Sequence, residues 1–132
     1  MDFSSLVLME KDKENNFVKE LGSYPVGEGA VYVKKLYAID GEVSFCFDTN
    51  KDVQEWEYSA IFDLFDIKAF EDLGYIIEED DNQYNPTWIV KFKYEDDREE
   101  MKAIINELCN LVKDNIEKVF EDIKGKEEEY SE

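Results

Sequence analysis

Carboxylates are the groups in this 132-residue sequence with the numbers and spacing to do chemistry, since 34 residues are Asp or Glu and none is His. Glu55, Glu57 and Asp63 sit at odd positions of an alternating segment. On a strand, side chains at i and i+2 share a face and lie close enough to hold a divalent cation such as Mg²⁺ or Ca²⁺. Asp40, Glu42 and Asp48 fall in a neighbouring hairpin of the same predicted sheet. The plainer reading is a solvated strand face whose charge discourages edge association, and the pattern favours it. The loop Glu78-Glu79-Asp80-Asp81-Asn82 invites a calcium reading, but the EF-hand pattern fails at Tyr84, with no glycine following. A polar hairpin tip is the favoured reading of this loop.

Nucleophilic catalysis has little to work with. Without histidine no Ser/His or Cys/His pair can form, and neither Cys46 nor Cys109 has a basic sequence neighbour to lower its pKa. Gly22, Gly27 and Gly29 fit neither the P-loop nor the dinucleotide fingerprint. The two cysteines read as free thiols in a reducing compartment, the alternative being a Cys46 to Cys109 disulfide. A zinc site lacks ligands, and no cofactor is implied.

The formal net charge is −19. Such a surface repels phosphate backbones and anionic headgroups, so neither nucleic acid nor a membrane is an expected partner. The opening Met1-Asp2-Phe3-Ser4-Ser5-Leu6-Val7-Leu8-Met9-Glu10 lacks the positive flank of a secretory signal and is too short to span a bilayer, which makes a cytoplasmic location the expectation. With 43% hydrophobic and 14% aromatic residues the chain can still build a core, so the charge belongs on a folded surface.

The elements that must position these groups follow from periodicity. Residues 3–10 read as a strand, residues 11–22 as a turn or the start of a short helix, and Gly22, Pro25, Gly27 and Gly29 as a loop. Val31 to Ile39 and Glu42 to Asp48 form a hairpin about Asp40-Gly41, with Val43, Phe45 and Phe47 on one face. Gln54 to Leu64 alternates Trp56, Tyr58, Ala60, Phe62 and Leu64 with polar residues and predicts a strand. Asp66 caps a short helix to Leu73 that Gly74 ends. Tyr75 to Glu79 and Thr87 to Glu95 are two further strands.

Met101, Ile104, Ile105, Leu108, Leu111, Val112, Ile116, Val119, Phe120 and Ile123 recur at helical spacing after an Asp97/Glu100 capping box, and Gly125 stops the helix. The result is one α+β domain over residues 1–125, a curved antiparallel sheet of five to seven strands packed on one long C-terminal helix. Residues 126–132 read as a flexible acidic tail. Tyr32, Leu36 and Ala38 oppose Val31, Val33, Tyr37 and Ile39 on the strand from 31 to 39, so the second sheet face is partly apolar. The N-terminal segment, a second copy in a homodimer, or a partner must cover it.

The run Asp52-Val53-Gln54-Glu55-Trp56-Glu57-Tyr58-Ser59-Ala60-Ile61-Phe62-Asp63-Leu64-Phe65, with the Phe3 to Glu10 opening, resembles an uncharacterised family of small acidic bacterial proteins of unknown function. The resemblance covers most of the chain. It implies no activity and assigns no functional residue.

Three functions compete. The leading one is a non-catalytic module offering an acidic face to a basic protein, with Glu55, Glu57, Asp63, Glu78, Glu79, Asp80 and Asp81 as the interaction face. Between Asp40 and Asp81 fourteen carboxylates stand against Lys51 and Lys68, a surplus of twelve. Such a field speeds encounter and makes binding salt-sensitive. The second is small-molecule or lipid binding in a helix-grip-like cavity lined by Phe45, Phe62 or Phe92. The third is a divalent-metal-dependent enzyme built on Glu55, Glu57 and Asp63; absent any catalytic signature, a non-enzymatic role is expected.

Overall fold

The computed structural model describes residues 4–130. Phe3, where the sequence starts the first strand, and Ser131 and Glu132 of the tail lie outside the described residues. The elements run β1 (Ser4–Lys11), β2 (Phe17–Val26), a 3-10 turn (Glu28–Tyr32), β3 (Val33–Ile39), β4 (Glu42–Asp48), α1 (Glu55–Leu64), α2 (Lys68–Glu71), β5 (Ile76–Asp80), β6 (Thr87–Lys93), α3 (Arg98–Asp122) and α4 (Glu127–Tyr130). The α+β class and the single sheet against the long C-terminal helix stand as the sequence predicts.

The sheet has six strands in the order β2-β1-β3-β4-β6-β5. It is mixed, because β1 pairs with β3 in parallel through Met9↔Tyr37 and Glu10↔Ala38 while the other pairs are antiparallel. The expectation of an all-antiparallel sheet fails at this pair because β2 forms a hairpin with β1 and returns the chain. β3 then enters beside β1 in the same direction.

β2 is itself a correction. Gly22 and Pro25 signal a loop, yet both lie within a strand. Pro25 is tolerated because β2 is an edge. Gly22 sits next to a register shift at Leu8/Met9, where a Cβ would come within 2.7 Å of the Tyr24 hydroxyl. The turn before β2 is built by Asp12, whose Oδ1 accepts from the amides of Glu14 (2.9 Å) and Asn16 (3.0 Å). The Asn16 amide foremost holds its carboxyl below the usual carboxylate range.

The second correction is α1. The segment Gln54 to Leu64, predicted as a strand, is a helix over Glu55–Leu64. Its alternating pattern contains a helical one: Ala60, Ile61 and Phe65 are buried, Trp56 and Leu64 half-buried, at spacings of four, one, three and one. A reciprocal cap decides between them, with the Gln54 amide donating to Glu57 Oε1 at 2.8 Å.

The remaining expectations hold closely. Asp40 and Gly41 turn the β3–β4 hairpin at φ 51° and 81°. Asp66 Oδ1 accepts from the Ala69 amide at 3.1 Å, Gly74 follows at φ 91°, and Asp97 caps α3 through the amides of Glu99 and Glu100. Within the segment read as a frayed tail, Glu127–Tyr130 forms one helical turn.

α1, α2 and α3 pack on one sheet face, against Leu36, Ala38, Val43, Phe45, Phe47, Trp88 and Val90. At its centre Phe47 stacks on Trp88 (5.3 Å between centroids) and Phe70 (5.8 Å), and Phe65 lies 4.2 Å from Trp88. Each such side chain, fully buried, contributes about 1.5–3 kcal/mol. The opposite face presents Lys35, Tyr37, Cys46, Ile89 and Lys91 in cross-strand register.

Candidate functional site

The seven carboxylates predicted as one face are distributed by the fold. On a helix Glu57 lies roughly 200° around the axis from Glu55, so Glu55, Glu57 and Asp63 do not share a surface. Glu57 is engaged in the α1 cap, and Asp63 Oδ2 accepts from the Tyr130 hydroxyl of α4 at 2.6 Å. That bond pushes the Tyr130 phenol up from its ordinary value.

On β5 the register alternates the acids between faces. Glu79 pairs with Trp88 and is directed toward the helices, whereas Glu78 and Asp80 pair with Ile89 and Thr87 on the outer face. Glu78 lies 3.4 Å from Lys91 Nζ. Asp80 ties its own loop together, Oδ1 accepting from the Asn82 amide and Oδ2 from Gln83 Nε2, both at 3.1 Å.

What the structure does bring together is α1 and the tip of the β5–β6 loop. The Tyr58 hydroxyl lies 2.9 Å from the Gln83 carbonyl and 3.1 Å from that of Asp81. It donates into a loop that would otherwise be a free hairpin end. Tyr58 rests edge-on against Phe62 (5.1 Å), and Phe62 against Trp88 (5.2 Å), so the loop tip is anchored through α1 to the core. Burial, followed by the Asp81 and Asp80 charges, raises the Tyr58 phenol above its ordinary pKa.

Glu55 lies one turn before Tyr58 on the same side of α1. Glu55, Glu79 and Asp81 are exposed, and no ion pair among the described residues neutralises them. Glu55 on α1, Glu79 on β5 and Asp81 in the loop after it thus belong to elements that Tyr58 ties together, and they are called the acidic corner below. In the sequence Tyr58 is one position of the alternating segment from Gln54 to Leu64; its role as a tie depends on a loop some twenty-five residues away and leaves no local signal.

Among the described residues no group of three or more His, Cys, Asp or Glu is placed to hold a metal ion. Phe45, Phe62 and Phe92, predicted to line an internal cavity, pack on other rings instead: Phe45 on Phe47 (6.3 Å), Phe62 on Trp88 (5.2 Å) and Phe92 on Tyr75 (6.0 Å). Cys46 and Cys109 are free thiols, both buried. Burial pushes Cys109 up to about 12, and raises Cys46 against the opposing influence of Lys35. Neither is an activated nucleophile.

A six-stranded open mixed sheet covered on one face by helices defines a small α+β protein. The chain belongs to the family of unknown function DUF6762, whose profile matches residues 1–131. No curated protein and no solved structure matches the chain. No helix among the described residues is long and apolar enough to cross a membrane.

Proposed function

We propose that this protein is a non-catalytic interaction module of the cytoplasm that presents the Glu55/Glu79/Asp81 corner to a basic protein partner. The observation that carries the reading is the Tyr58 tie. It ties the loop that carries Asp81 to α1, which carries Glu55, and that supports a pre-organised field for which no loop has to be ordered on binding. A fixed acidic patch on a chain of net charge −19 steers a cationic partner and sets its orientation.

The test compares two triple variants of equal charge. Glu55→Gln/Glu79→Gln/Asp81→Asn neutralises the corner; Glu99→Gln/Asp114→Asn/Asp122→Asn removes three charges from α3. A partner captured from lysate of the source organism is purified, and its association rate is measured at low and high salt. The corner variant is expected to slow association by about tenfold or more at low salt, with a much smaller effect of the α3 variant. Equal slowing by both variants means that total charge, and not this corner, does the steering.

The outer sheet face is the surface through which a homodimer would form. Lys35, Lys91 and Lys93 there alternate with Glu42, Glu78 and Asp80, and these charges would have to pair across the two-fold axis. Light scattering on the purified chain decides whether that happens.

A further inference from the structure

We propose that β5 is a docking edge, beside which an extended segment of a basic protein adds as an antiparallel strand, with basic residues opposite Glu78, Glu79 and Asp80 and apolar ones opposite Ile77 and Ile76. The charge of the partner rests on the reading of the acidic corner above, whereas the pairing rests on the backbone alone.

The sheet has two edges, β2 and β5, and only one is closed. On β2 the Ser23 carbonyl accepts from Arg98 Nη2 at 2.8 Å and the Pro25 carbonyl from Asn106 Nδ2 at 3.1 Å, so side chains of α3 seal that edge. Pro25 offers no N–H, and register shifts at Leu8/Met9 and Glu10/Lys11 break the regularity of the strand. These are the devices that keep an edge from pairing. β5 has no proline, no lysine and no register shift against β6.

Alternation of the ladder tells which groups β5 leaves open. The two-residue turn Asp40-Gly41 makes Ile39↔Glu42 a hydrogen-bonded pair. Bonds then alternate, so Val43↔Phe92 is bonded between β4 and β6, and Lys91↔Ile76 between β6 and β5. The Tyr94 amide keeps the same phase, donating to the Gly41 carbonyl at 2.8 Å. Ile76, Glu78 and Asp80 therefore bond to β6, and the N–H and C=O of Ile77 and Glu79 point off the sheet. Among the described residues nothing pairs with those outward groups. The open stretch is bounded at both ends: the Tyr75 amide donates to the Phe70 carbonyl at 3.3 Å, and the Asp81 carbonyl accepts from Tyr58 at 3.1 Å.

The side chains select the occupant. Ile76 is 57% exposed, and Glu78 and Glu79 are exposed too. A second copy in full overlap would set Glu78 against its own counterpart, in a pair of strands rich in carboxylates and without lysine or arginine. The same carboxylates favour a strand of opposite charge. Glu78 already has Lys91 Nζ at 3.4 Å, while Glu79 and Asp80 have no ion-pair partner among the described residues.

The probe is the peptide acetyl-Thr-Arg-Lys-Arg-Val-Ile-Thr-amide, titrated into the isotope-labelled full chain and followed by amide shifts and exchange. In register its Lys and Val bond to Glu79 and Ile77, so N-methylation of those two residues removes the donors that face β5. N-methylation of the two Arg residues puts the methyl groups toward solvent and preserves the charge equally. The parent peptide should bind with a Kd on the order of 0.1 mM at low salt, with shifts centred on residues 76–80 and slowed exchange at the Ile77 and Glu79 amides. Methylation facing β5 should weaken binding at least about tenfold, and methylation facing solvent less than about threefold. Glu78→Gln/Glu79→Gln should weaken it about tenfold. Equal affinity of the two methylated peptides, or no binding of the parent up to about 2 mM, overturns strand addition. If that equal affinity still falls with salt, the acidic corner stands without it. A methylation difference indifferent to salt and to the double variant overturns instead the acidic corner and the basic partner, and leaves the pairing.

Discussion

Gly29 is where one added methyl group should do the most damage. It lies in the 3-10 turn between β2 and β3, and a Cβ built on it would sit 2.0 Å from the Cys109 carbonyl oxygen and 2.6 Å from its carbonyl carbon. Contacts under 3.0 Å are essentially never seen, so the turn and α3 would have to separate by at least about 1 Å. The obstacle is helix backbone and cannot rotate aside as a side chain would. Around it Cys109, Leu108 and Val112 are at most 1% exposed, so the separation opens the core rather than a surface seam. Overpacking costs about 1–3 kcal/mol, and an immovable backbone contact in a buried seam places Gly29→Ala at the upper end, about 3 kcal/mol. For a chain of this length that lowers the melting temperature by about 10 °C.

The control lies two residues away. A Cβ on Gly27 meets nothing within 4 Å, and its backbone is extended at φ −87°, so Gly27→Ala should leave stability within about 0.5 kcal/mol of the parent. Urea unfolding of both variants reads the difference directly. Equal midpoints for Gly29→Ala and Gly27→Ala would refute the argument that the 3-10 turn meets α3 backbone to backbone.

Two further outcomes follow from the geometry. Tyr58→Phe keeps the ring against Phe62 but removes the donor to Asp81 and Gln83; it should cost about 1 kcal/mol and speed amide exchange across residues 81–83, and unchanged exchange there would mean that the loop does not need the tie. The Cys109 thiol has a folded pKa raised to about 12 from 9.0, so its contribution is fully present below pH 9 and is lost as pH climbs toward 12. Stability should fall there by about 1.4 kcal/mol per unit from this thiol, and Cys109→Ala should flatten that part of the profile whatever its effect at neutral pH.

The elements legible in the sequence are those whose signals are local. The β3–β4 hairpin turns on Asp40-Gly41, α3 is announced by Asp97 and an apolar stripe over seven turns, and Gly74 and Gly125 adopt the positive φ expected of helix ends. Pattern alone misled at Gln54 to Leu64, because Trp56, Ala60 and Leu64 satisfy period two and the helical period together. The cap between Gln54 and Glu57 separates them, but a Gln at that position is a weak signal. β2 was hidden because Gly22 and Pro25 ordinarily break strands, and only its place at the sheet edge makes them acceptable.

The sequence by itself determined the class of object: an acidic α+β chain with a core large enough to fold and no histidine from which to build common catalytic pairs. Tertiary structure decided which charges act together. Alternation on β5 sends Glu78 and Asp80 to one face and Glu79 to the other, and the helical twist of α1 parts Glu55 from Glu57. Tyr58 then joins elements that are distant in the chain, and the row Lys35, Cys46 and Ile89 exists only because three strands lie side by side. Adjacency of that kind is a property of strand order and register, set by how the whole core packs, and no local run of residues encodes it.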